Sequence, residues 1–258
     1  MEAMLEATAR AEDRHFWFGA LRRNARRWLA AALDGRRVAR LVDCGAGTGR
    51  NLDWLAGFGE VVGVERSPVG LRVGRAHGRR LVQATVTSLP FADASADVVT
   101  SFDVLYCLDD GSERRAIAEM FRVLKPGGIL LVNVAALDAL RGAHSTLTHE
   151  VRRYTRARLA GRLRAGGFAV ERMSYTNCVT FPAALAVRWR DRVTGRAREA
   201  SDADLQVPPA PVNGALALAL AVESGLLRWM DLPIGSSLLC LARKPDGAAP
   251  PAAGVTPR

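Results

Sequence analysis

The run Leu41-Val42-Asp43-Cys44-Gly45-Ala46-Gly47-Thr48-Gly49 constrains this chain more than any other feature. Val38–Cys44 is short, apolar and closed by glycines, the pattern of a strand buried on both faces of a parallel sheet. Glycine has no Cβ, so the loop after that strand lets backbone approach a ligand closely. The helix start beyond it offers free N–H groups. Val61–Glu65 reads as the next strand, and a carboxylate about twenty residues past such a loop can accept both hydroxyls of a ribose.

Strands and helices then alternate. Leu81–Gln83, Ala96–Phe102 and Ile129–Val134 read as strands, and a helix over about 113–124 stops at Lys125-Pro126-Gly127-Gly128. A helix over about 156–165 ends at Gly166-Gly167, and a strand at Phe168–Tyr175 follows it. The alternation predicts an α/β fold, a doubly wound parallel sheet with helices on both faces. Residues 1–36 read as helical and 37–175 as the ligand-binding domain. Residues 176–235 break the pattern, with a proline-rich turn and an apolar helix over about 212–230. They are expected to be a helical insertion that shapes an acceptor site. Residues 236–243 return to the sheet as its last strand. The Pro-, Ala- and Gly-rich stretch 244–258 is expected to be a disordered tail.

The ligand can be narrowed further. A dinucleotide site prefers G-x-G-x-x-G, whose third glycine helps seat a pyrophosphate. Here the spacing is G-x-G-x-G with Arg50 next, and Asp43 precedes the loop, where a carboxylate repels phosphate. A ligand with a ribose, an ammonium group and no phosphate is favoured, which describes S-adenosylmethionine.

At this point the sequence resembles the class I S-adenosylmethionine-dependent methyltransferases. The resemblance rests on Val42–Gly49, Val64-Glu65, Leu89-Pro90-Phe91-Ala92-Asp93, Ala96–Val99 and Arg122–Gly128, in that order. It implies a Rossmann-like, seven-stranded sheet, mostly parallel, with an antiparallel last strand. It also implies S-adenosylmethionine as cofactor, approached by Gly45, Ala46, Gly47 and Gly49 with Asp43 before them. Glu65 would bind the ribose, with Arg66 and Phe102 beside it. The family often has an Asp after the third strand to contact the adenine amino group; here that position is Thr85, followed by Val86.

Methyl transfer from a sulfonium needs the nucleophile and methyl held in line, and a hydroxyl nucleophile gains from a general base, most often His. His144 and His149 fall in the polar stretch after the fifth strand and are the first candidates for that base; Asp103, after the fourth strand, is the next. Tyr106, Arg153, Tyr154 and Asn177 are candidates for binding the acceptor. His149-Glu150-Val151-Arg152-Arg153-Tyr154 resembles a His-x-x-Arg-Arg-Tyr element of a bacterial subgroup of the family, as does the aromatic run Glu12–Phe18 near the N-terminus. That likeness implies that the N-terminal helices form a lid over the cofactor.

Composition bears on partners. Arg and Lys total 36 against 26 Asp and Glu, a formal net charge of +10, and only Lys125 and Lys244 are lysines. A basic chain attracts nucleic acid and other anions, but no basic stripe interleaved with aromatics is present. A small-molecule acceptor is therefore expected over RNA. The four cysteines are widely spaced, without a C-x-x-C pair, so no metal site or disulfide framework is predicted and a reducing cytoplasm fits. The longest apolar stretch, 214–230, is interrupted by Glu223 and Arg228, so no membrane span is expected. The N-terminus lacks the long apolar core of a secretory signal. A monomer or homodimer is expected.

Overall fold

The computed structural model describes residues 2–141, 150–193 and 206–247. Seven strands form one sheet: β1 (Val38–Cys44), β2 (Gly59–Glu65), β3 (Leu81–Gln83), β4 (Ala96–Phe102), β5 (Leu124–Ala135), β6 (Ala169–Thr176) and β7 (Ser237–Arg243). Their spatial order is β3-β2-β1-β4-β5-β7-β6. The first five pair in parallel, and β7 runs antiparallel to both β5 and β6. This is the expected sheet, including its reversed last strand.

Alternation along the strands sends side chains to two apolar layers. Val42 and Cys44 of β1 join Leu130 and Val132 of β5 on one face, and Leu41, Ile129 and Leu131 lie on the other. The first layer is closed by α5 (Asp110–Val123) and α6 (Arg156–Ala165), through Ile117, Met120, Phe121, Leu159 and Leu163. The second is closed by α2 (Phe16–Leu33), the one-turn α3 (Leu52–Leu55) and α4 (Pro68–Ala76), through Trp28, Leu29, Leu33, Leu55 and Leu71. Among the described residues the remaining α-helices are α1 (Glu2–Ala11), α7 (Phe181–Val193) and α8 (Ala210–Leu226).

Helix ends are fixed by side chains. Asp109 caps α5, accepting from the amides of Gly111 and Ser112 at 2.8 and 2.9 Å. The carboxylate is held down to about 2, chiefly by its bonds to Ser112. At the other end Lys244 Nζ donates to the carbonyls of Phe121 and Leu124, both at 2.8 Å, satisfying groups that a helix terminus leaves open. Two expectations shift here. The strand begins at Leu124 rather than Ile129, because Leu124 already pairs with Ala96 and the register irregularity before Val98 absorbs the glycines. Lys244 is buried as a cap rather than part of a loose tail; residues 248–258 lie outside the described residues.

Among the described residues of 176–235, α7 and α8 are helical, and α8 lies against α2 as an outer layer. Asn213 accepts from Phe16 N at 3.0 Å and donates to the Arg14 carbonyl at 2.8 Å, and Arg27 Nη1 donates to the Ser224 carbonyl at 2.8 Å. Among the described residues, no helix is long and apolar enough to cross a membrane.

Candidate active site

The strand order reverses between β1 and β4, and in open α/β sheets a crevice for ligands opens at the carboxyl ends on either side of such a switch. Here a cavity of about 330 Å³ lies there. Its floor is the glycine loop. Gly45 has φ +78° and a Cβ there would lie 2.3 Å from Val104 Cγ2, so neither its backbone nor its neighbour tolerates a side chain. Gly47 has φ +57°, and a Cβ would meet only Leu5 of α1, at 3.5 Å. Its bare face is turned into the space between loop and α1.

Glu65 ends β2 at the cavity wall. Its carboxylate accepts from Gly47 N at 2.8 Å and Ser67 N at 2.7 Å, joining the loop to the start of α4. Asp43 lies beneath the loop and does not line the cavity. It is buried, its Oδ1 accepts from Thr100 Oγ1 at 2.6 Å, and its Oδ2 has no partner. Burial pushes this carboxyl up to about 7; the Thr100 bond opposes the shift and the Glu65 charge adds to it. Ala84, Thr85 and Val86 form a side wall. The Thr85 hydroxyl is engaged with Thr87, at 3.0 Å from its Oγ1 and 3.3 Å from its amide.

The opposite wall follows β4: Phe102, Asp103, Val104, Tyr106, Cys107 and Leu108. Asp103 has φ +62°, a left-handed backbone for a residue with a side chain. Such conformations cluster at functional sites. Its Oδ1 accepts from Asn133 Nδ2 at 3.0 Å, and Asp103 N donates to the Asn133 carbonyl at 2.9 Å, so β5 sets its direction. Burial pushes the carboxyl up to about 7, against the Asn133 bond and the Arg153 charge.

The roof is α1 and the start of α2, contributing Leu5, Thr8, Glu12, Trp17, Phe18, Leu21 and Arg22. It is fastened to the floor. Glu12 accepts from Thr48 Oγ1 at 2.8 and 2.9 Å, and Asp13 pairs with Arg50. Burial raises the Glu12 carboxyl above its ordinary value, against the Thr48 bond. His15 caps α2 by accepting from Trp17 N at 3.2 Å, and burial lowers its pKa, which favours the neutral ring that this bond requires.

Of the residues singled out in the sequence, Gly45, Ala46, Gly47, Glu65, Arg66, Thr85, Val86, Phe102, Asp103 and Tyr106 line this one cavity. His144 and His149 lie outside the described residues. Gly49 turns the loop with φ +76° and its Cβ position faces Arg79, away from the cavity.

Three acceptor candidates do not line this cavity. Tyr154 is fully buried in the α5–α6 layer and its hydroxyl donates to Glu113 Oε1 at 2.5 Å. Arg153 is spent on Glu150, at 2.7 and 3.1 Å. Asn177 ends β6, at the far edge of the sheet, where its amide donates to Glu223 Oε1 at 2.6 Å and its side chain to Ser237 Oγ at 3.2 Å. None of the described residues of 176–235 lines the cavity. The sequence reading missed Leu21, Arg22, Thr48 and Cys107. The first two were available from helical spacing, since Phe18, Leu21 and Arg22 share one face of α2. Among the described residues no group of three or more His, Cys, Asp or Glu is placed to hold a metal ion.

Known proteins resemble this chain in sequence and in fold. Residues 42–132 match the family model of a methyltransferase domain. A ubiquinone/menaquinone biosynthesis C-methyltransferase of Acidiphilium cryptum is 32% identical over 204 residues, covering 64% of this chain and 79% of that protein. A malonyl-[acyl-carrier protein] O-methyltransferase of Enterobacter lignolyticus is 32% identical over 143 residues, 54% of this chain. The match spans only 56% of that relative's length. In fold, the chain is similar to phosphoethanolamine N-methyltransferase 2 of Haemonchus contortus, solved with S-adenosyl-L-methionine. The TM-score is 0.60 at 16% identity, covering 95% of this chain and 58% of that one.

Proposed function

Because the chain belongs to the class I S-adenosylmethionine-dependent methyltransferases, we propose that it transfers a methyl group to a small acceptor, preferentially at a hydroxyl oxygen. The residues present fit the cofactor. Gly47 leaves its inner face bare, and Glu65 has acceptor positions beyond the two its amides use. Asp43 lies beneath the loop and outside the cavity lining, so it would act on a cationic ammonium group above the loop through its charge and not by contact. When bound, S-adenosylmethionine supplies an electrophilic sulfonium methyl.

The rest is the work of this chain's residues. The glycine loop, Glu65 and the Thr85–Val86 wall hold the donor, and α1 with Trp17 and Phe18 excludes water from above. Asp103 takes the proton of the acceptor hydroxyl. A carboxyl raised to about 7 serves as a base at neutral pH. One observation carries this reading: Asp103, strained and raised in pKa, stands in the same cavity wall as the cofactor loop. A roofed cavity of about 330 Å³ supports a small acceptor over a nucleic-acid strand. The C-methyltransferase relative favours a second reading, in which Asp103 takes the proton of a phenol, a ring carbon takes the methyl, and the hydrogen on that carbon then leaves as a proton and restores the ring.

The test is an acceptor screen in cell extract with isotope-labelled methyl donor, read by mass spectrometry. Methyl transfer releases S-adenosylhomocysteine, whereas a protein that only retains the cofactor releases none. Asp103→Asn should lower turnover by about 10²–10⁴-fold and leave cofactor affinity unchanged. Wild-type kcat/KM should fall below about pH 7 as Asp103 protonates. If Asp103→Asn turns over normally while His149→Ala does not, the base is His149 and Asp103 is only a wall.

A further inference from the structure

On the far side of α2 from the active-site cavity, a second feature has no role in methyl transfer. The outer face of α8 carries Leu218, Val222 and Leu226, exposed by 69%, 61% and 49%, and the turn beyond it carries Trp229 and Met230, exposed by 84% and 53%. Their steps of three and four residues place them along one side of the helix. The opposite side of α8 is already buried through Leu220 and Ser224, with Leu227 just beyond the helix end. This apolar stripe is therefore additional to what the fold needs. Contiguous exposed apolar surface of this kind marks an interaction site.

Beside the carboxyl end of that stripe is a hollow of about 300 Å³, whose lining includes Asn24, Arg27, Trp28, Arg172, Ser224 and Arg228. Its charges do not balance. Arg172 pairs with Asp231 at 2.8 Å and lies over the Trp28 ring, 4.2 Å from its centroid. Arg27 bonds the Ser224 carbonyl, and Arg228 lies over the Trp229 ring at 5.7 Å; among the described residues neither has a carboxylate partner. Three guanidiniums thus share one carboxylate. Asn24, 3% exposed, also lines the hollow, and its Oδ1 has no partner.

We infer that the α8 face and this arginine hollow dock together on a bilayer containing anionic phospholipid. The guanidinium fork matches the oxygens of a phosphodiester headgroup. The unpartnered Asn24 oxygen accepts from a headgroup hydroxyl. Trp229, beside the arginines, sits at the depth where indoles favour a membrane interface, and Leu218, Val222 and Leu226 enter the acyl boundary. The helix lies in the surface and does not cross it. Charge decides against a second copy of this chain as occupant. A two-fold contact through this face would bring like arginines together. The only acid of α8, Glu223, is buried and takes the amides of Asn177 and Val179.

The test is sedimentation of the full chain with vesicles of phosphatidylcholine alone or mixed with phosphatidylglycerol. Partition into the mixed vesicles should be about tenfold greater, and should weaken as salt rises. The pair Arg27→Gln with Arg228→Gln should remove that preference, and Trp229→Ser should weaken binding to the mixed vesicles. Trp229 is so exposed that its variant keeps the fold, which circular dichroism checks. Equal partition into both vesicle types, or variants that bind like the wild type, overturns the proposal. So does release from the vesicles by inorganic phosphate at constant ionic strength, which would make the hollow a site for free phosphate. A concentration-dependent dimer abolished by Leu218→Ser would assign the face to a second copy and overturn it as well.

Discussion

Asp43→Asn should make the ligand-free protein more stable in mild alkali. Asp43 is sealed beneath the glycine loop with one oxygen on Thr100 and the other on nothing. Its carboxyl is raised to about 7 from an ordinary 3.8. The folded state therefore holds this proton more tightly than the unfolded chain does. Stability is full below the unfolded value, declines as pH rises from about 4 to 7, and levels off above that. At 1.36 kcal/mol per unit, the ionised carboxyl costs about 4 kcal/mol on the alkaline side. Asn keeps the shape and an acceptor for Thr100 and carries no charge, so most of that cost should disappear. The assay is urea unfolding at pH 5 and pH 8, followed by tryptophan fluorescence. Asp103 is raised over the same window, so the wild type should lose stability between the two pH values, and the variant should lose about half as much. If wild type and variant show the same difference at both pH values, the buried carboxyl is not raised and the reasoning fails. The substitution should also weaken S-adenosylmethionine, since the anionic form is what the ammonium group needs.

Other substitutions separate neighbouring roles. Glu65→Ala should weaken cofactor binding by about 1.5–3 kcal/mol in calorimetry, the scale for hydrogen bonds to a charged group; unchanged affinity would remove Glu65 from the ribose. Tyr154→Phe should cost about 1–3 kcal/mol of stability by leaving Glu113 short of a donor, with turnover per folded molecule unchanged; lost turnover at full stability would return Tyr154 to the acceptor site. Gly45→Ala should destabilise by about 2–4 kcal/mol, from the left-handed backbone and the overlap with Val104. Gly47→Val should act mainly on cofactor affinity, and equal stability losses for the two would contradict the division of the loop drawn above.

The sheet was legible because strands buried on both faces leave unbroken apolar runs. Leu81–Gln83 and Ala96–Phe102 stand in the structure with the bounds read from sequence. The described part of the His149–Tyr154 element, from Glu150 on, is taken up in internal pairs. Its polar groups resemble a binding loop, yet Arg152 and Tyr154 converge on Glu113, some forty residues earlier on α5. Arg153 and Glu150 likewise satisfy each other. Burying a carboxylate such as Glu113 requires several donors, and nothing in a linear sequence states which distant donors supply them. The same limit hid the latch between Glu12 and Thr48, although Trp17 and Phe18 of the aromatic run beside Glu12 do line the cavity.

The glycines of the motif carry different structural duties. β1 and β4 are neighbours, with Asp43 opposite Thr100, so the loops that follow them must abut. That contact brings Val104 against Gly45 and makes Gly45 a requirement of the sheet's own topology. Gly49 answers to Arg79 and to the turn into α3. Only at Gly47 does the missing side chain open onto the cavity, and there the amide is held by Glu65, the residue read from sequence as the ribose partner. A bound ribose would therefore share its carboxylate with the loop that cradles it. The loop's shape and its ligand contacts depend on one side chain, so cofactor binding and loop order should be lost together when that carboxylate is removed.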